Sequence, residues 1–103
     1  MIQKNKLWET ISPTKNYLLV RIENDVPIFN QSLILETNNQ EQLFEVGIVL
    51  KTGTNVPSSF YDANKTTTVM FKKYSGTSFQ LSDNHNYKII DYQDIIATIH
   101  FDE

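Results

Sequence analysis

Apolar residues recur along this chain at strand spacing, and no stretch keeps helical spacing for three turns. Tyr17-Leu-Leu-Val-Arg-Ile22 is a nearly continuous aliphatic run, the pattern of a strand buried on both faces. Leu43 to Leu50 predicts a second strand, within which Gly47 marks a bulge or a close backbone approach. Thr66 to Phe71 predicts a third. Ser78-Phe79-Gln80-Leu81 alternates polar and apolar, as a half-buried fourth strand does. Tyr87 to Ile90 and Ile95 to Phe101 complete the set. Turn residues separate these runs: Gly53, then Pro57 to Asn64, Tyr74-Ser75-Gly76, and Ser82 to Asn86. Asp91 with Asp94 three places on reads as a helix cap for a single turn. Short strands, frequent turns and no long helix predict an all-β fold, a small barrel or sandwich.

One segment breaks the pattern. From Glu23 to about Gln42 neither periodicity holds, and Pro27 disfavours a paired central strand. A loop this long in a small domain is usually functional. Within it, Leu33-Ile34-Leu35 is an aliphatic triplet with little to bury against locally, which predicts a hook for another protein. Val26, Ile28 and Phe29 form a second apolar cluster that either adds to that contact or folds back onto the body of the domain.

The 103 residues suit one domain. Residues 1–10 read as a polar N-terminal arm with Leu7 and Trp8 as its apolar pair, and residues 11–103 as the domain itself. The net charge of −3 argues against a nucleic-acid surface, which needs clustered Lys and Arg. No cysteine is present, so disulfides, thiol catalysis and cysteine-ligated zinc are excluded. No apolar run reaches the roughly 18 residues of a membrane span. The first residues lack the apolar core of a secretory signal, so a cytoplasmic protein is expected. His85 and His100 have no metal-ligand partner at a recognised spacing. There is neither a glycine-rich phosphate loop nor a nucleophile elbow. No enzyme, no cofactor and no metal is the expectation.

The landmarks, taken in order, resemble the chaperonin-10 (GroES-type) co-chaperonin family. Ile11-x-Pro13 followed by Tyr17-Leu-Leu-Val-Arg21 is similar to the family's opening segment. Phe44-Glu-Val-Gly-Ile-Val-Leu-Lys-Thr-Gly53 resembles its Gly-x-Val-x-x-Val-Gly segment, and Thr68-Val-Met-Phe71 the strand after the roof. Asp94-Ile95-Ile96-Ala97 resembles the core of the closing segment. The departures are specific. Gln31-Ser32 stand where two glycines usually precede the tripeptide, Thr66-Thr67 replace the usual Gly-Asp, and the roof segment, about residues 54–65, is shorter. A divergent member, such as a phage-encoded one, fits this pattern.

The resemblance implies a GroES-like β-barrel with a long mobile loop over about residues 23–42 and a short roof hairpin. It implies a lid of seven subunits that caps an ATP-driven chaperonin-60 ring around non-native protein substrates. Leu33, Ile34 and Leu35 would dock in an apolar groove of that partner. Ile11 and Pro13 of one subunit would meet Ala97, Ile99 and Phe101 of the next, and Tyr74 would face the chamber. The alternative is a GroES-fold structural or adaptor protein, for example of a phage, whose loop serves another partner.

Overall fold

The computed structural model describes residues 4–23, 44–62 and 64–99. Six antiparallel strands form one sheet: β1 (Tyr17–Glu23), β2 (Phe44–Thr52), β3 (Thr68–Lys72), β4 (Thr77–Gln80), β5 (Asn86–Asp91) and β6 (Ile95–Ile99). Their order across the sheet is β4-β5-β1-β2-β3-β6. A 3-10 turn over Lys4–Thr10 precedes β1, and shorter ones cover Ser58–Phe60 and Tyr92–Asp94. The all-β expectation holds, and each of the six expected strands is present.

Position in the sheet explains the hydropathy pattern. β1 lies between two neighbours, and Leu18, Leu19 and Val20 are all fully buried. Leu18 and Val20 face one side with Val49, Val69, Phe71 and Ile90, and these form the main core. Leu19, Val46 and Tyr87 are buried on the opposite face, as the alternation of strand side chains requires. The Asp91 cap is also present: its Oδ1 accepts from the Gln93 backbone N–H at 2.8 Å.

Gly47 proves to be a close approach. It pairs with Ile22 and Val69 in the middle of the core face. A Cβ there would stand 3.0 Å from the Arg21 carbonyl oxygen and 3.1 Å from Val20 Cβ. The bulge on β2 lies three residues on, where Val20↔Val49 is followed by Leu19↔Lys51 and Leu50 has no partner on β1.

The ladder leaves β4 and β6 as its two edges among the described residues, so hydrogen bonding does not close a barrel. The sheet is nevertheless strongly curled. β3 and β4 are four places apart in the sheet, about 19 Å at ordinary strand spacing. Only residues 73–76 join them, and Ser75 N–H donates to the Lys72 carbonyl at 3.0 Å, which tightens that connection further. A flat sheet cannot satisfy both facts. Gly76 makes the turn possible. Its φ of +71° is left-handed, and a Cβ would come 2.4 Å from the Ile89 carbonyl oxygen.

Candidate partner-binding site

β1 and β2 are adjacent and antiparallel, with Glu23 opposite Val46. The described strands on either side of residues 24–43 therefore end and begin at one end of the sheet, as neighbours. The connection from β2 to β3 runs through Gly53 and the Ser58–Phe60 turn at the opposite end, where Thr52 pairs with Leu18. The two roots of residues 24–43 and the roof segment are thus at opposite ends of the same strands. Arg21 Nε donates to Glu23 Oε2 at 3.0 Å beside the point of departure. Leu33, Ile34, Leu35, Val26, Ile28 and Phe29 lie outside the described residues, as does Phe101.

The proposed subunit contacts that are described sit at the periphery. Ile11 and Pro13 are half-buried between the Lys4–Thr10 turn and β1. That turn is tied to β2 by Lys51, whose Nζ donates to the Glu9 carbonyl at 3.0 Å. Among the described residues β6 pairs with β3 alone, and along it Ala97 is exposed while Ile99 is half-buried. Met70 pairs with Ala97 and Phe71 with Ile95, so Ile96 is a bulged extra residue, 54% exposed. An apolar edge that carries a bulge is a surface on which pairing is available and restricted.

Tyr74 projects from the turn between β3 and β4 and is 76% exposed, with the Lys73 ammonium 6.0 Å from its ring centroid. That turn follows the end of β3, where Lys72 pairs with Phe44, so it begins at the same end of the sheet as residues 24–43.

The hydropathy pattern did not reveal a buried cation. Lys88 is 2% exposed and points to the core face beside Val20. Its Nζ donates to Glu45 Oε1 at 2.9 Å and to the Lys73 carbonyl at 2.7 Å, and stands 5.2 Å from the Phe71 ring centroid. The available signal was a charge set among apolar residues near the start of each of two strands, Glu45 in β2 and Lys88 in β5, opposite in sign. At the neighbouring hairpin, Tyr87 donates its hydroxyl to Asp83 Oδ2 at 2.5 Å and stacks on Phe79 at 5.8 Å. Burial, and then the bond to the Asp83 carboxylate, push the Tyr87 hydroxyl up to about 12. Desolvation works to raise Asp83, but the bonds from Tyr87 and the His85 backbone N–H bring it below its ordinary value.

Among the described residues no group of three His, Cys, Asp or Glu side chains could hold a metal ion. No helix there is long and apolar enough to cross a membrane. What the fold offers is a curled antiparallel sheet with both ends of residues 24–43 rooted at one end of it, and an apolar edge strand. The family model "Chaperonin 10 Kd subunit" matches residues 10–99. The chain belongs to that family of co-chaperonins, whose members are not catalysts but work with chaperonin-60 and oligomerise. A search of curated proteins finds no match to it.

Proposed function

We propose that the chain is a lid for a chaperonin-60 ring, docking through Leu33, Ile34 and Leu35 and assisting ATP-dependent folding of non-native proteins in the cytoplasm. The supporting observation is the root of the segment that carries the tripeptide. Glu23 and Val46 are paired neighbours, so both ends of residues 24–43 are held together at one end of the sheet, away from the roof connection. The curl of the sheet supports a barrel-shaped body for such a lid.

The energetics suit a partner that must be released. Burying one aliphatic side chain stabilises by roughly 1.5–3 kcal/mol. Ordering a loop costs about 1–2 kcal/mol for each residue fixed. A single tripeptide therefore binds weakly, and seven on one ring bind firmly because each contact raises the local concentration of the others. Val26, Ile28 and Phe29 are auxiliary candidates for the same contact. Gln31 and Ser32, in place of two glycines, lower the ordering cost where their backbone angles permit. Ile11 and Pro13 against Ala97, Ile99 and Phe101 of the next subunit close the ring, with β6 supplying the edge, and Tyr74 faces the chamber.

Limited proteolysis tests the reading. The expected outcome is cleavage near Asn30 in the free protein and protection in the presence of a chaperonin-60 ring and nucleotide. Equal cleavage in both states contradicts it.

A further inference from the structure

Lys88 joins β5 to β2 and to the turn after β3, two paired neighbours that the hydrogen-bond ladder does not join to β5 directly. It lies on β5, two places from β2 and three from β3 in the sheet. Three strand spacings amount to about 14 Å, far beyond a lysine side chain. Its ammonium nevertheless reaches Glu45 on β2 and the Lys73 carbonyl just past β3. The contact exists only because the sheet is curled, and it braces that curl from inside.

The two partners are placed where position matters. Glu45 is the second residue of β2 and so the second after the chain re-enters from residues 24–43. Its side chain is 28% exposed against 3% for Lys88, so the pair runs from the rim into the core. Lys73 is the residue before Tyr74. A buried cation with two short contacts at fixed positions is costly to leave half-satisfied. It therefore holds both partners in place as long as the core stays dry.

We propose that Lys88 is a positioning residue for partner binding: by holding Glu45 and the Lys73 carbonyl at once, it fixes the paired β2–β3 rim, where the long segment re-enters and the Tyr74 turn begins, against β5. The binding part of this inference rests on the co-chaperonin reading above. The bracing part does not.

Two variants and two readouts test it. Lys88→Met removes the cation and keeps the apolar stem. Glu45→Ala removes only the arm to the segment's root and keeps the bond to Lys73. Amide hydrogen exchange on the free proteins should speed up locally, at residues 44–47 and 73–76 in Lys88→Met with β5 unchanged, and at 44–47 and beside Lys88 on β5 in Glu45→Ala, where the buried cation keeps one partner. Affinity for a chaperonin-60 ring in nucleotide should fall by roughly tenfold in both, the size of a modest coupling free energy. Uniform faster exchange across all strands, or no change at all, overturns the brace. Local exchange with wild-type affinity overturns the positioning role. A wild-type protein that binds no chaperonin overturns the lid reading and the positioning role with it, while the exchange data still decide the brace.

Discussion

Tyr87 shows how a single residue reports on the packed state. Its side chain is buried, its ring stacks on Phe79, and its hydroxyl donates to a carboxylate. Burial disfavours the phenolate, and loss of the proton would also give up the bond to Asp83 and place an anion against it. The folded hydroxyl is accordingly raised from near 10 to about 12. A raised value means that the folded state holds the proton more tightly. The stability it contributes is complete below pH 10 and is lost as pH climbs from about 10 to 12. Denaturant midpoints measured across that window should fall, and Tyr87→Phe should remove that part of the slope. Gly76 makes a second case. Gly76→Ala should cost roughly 2 kcal/mol or more, since the residue needs a left-handed φ and its Cβ would meet the Ile89 carbonyl. A chemical denaturation curve reads that loss directly. In the core, Phe71→Ala should cost about 3–5 kcal/mol from lost transfer energy and a residual cavity.

At the scale of elements, β6 carries the most consequence. Among the described residues it is an edge, with Ile96 bulged out of the ladder to β3 and Ala97, though paired with Met70, exposed. Ala97→Asp should leave the fold within about 0.5 kcal/mol, since the position is exposed. The same change should shift the protein to smaller species in sedimentation, because a charge there opposes edge pairing. Unaltered assembly would remove Ala97 from the interface. The elements themselves were largely legible in the sequence. Central strands such as β1 must be apolar on both faces, which leaves an unbroken run, and Asp91 announces its turn because a cap needs that side chain. Strand ends were less legible. Thr66 and Thr67 carry β-branched character, yet β3 begins at Thr68, and the Thr67 carbonyl instead accepts from Val49 N–H at 2.9 Å. The Lys4–Thr10 turn had no apolar period to betray it. It is held by local bonds such as Thr10 Oγ1 to the Leu7 carbonyl at 2.8 Å.

For the whole molecule, curl matters more than composition. Hydropathy cannot tell a flat sheet from a curled one, because the same residues are apolar in both. Here the curl follows from a four-residue connection between strands four places apart, and from Lys88 reaching across the interior. Neither is visible until strand order is known. The tripeptide stands out in the sequence for the opposite reason: Leu33, Ile34 and Leu35 are set in polar surroundings, and its role rests on the experiment below. The most direct test of the lid reading is a binding isotherm with a chaperonin-60 ring, with and without nucleotide. The wild-type chain and a Leu33→Asp, Ile34→Asp, Leu35→Asp triple variant should be compared. Nucleotide-dependent binding by the wild type and none by a normally folded triple variant is the expected result. Equal binding by both would contradict it.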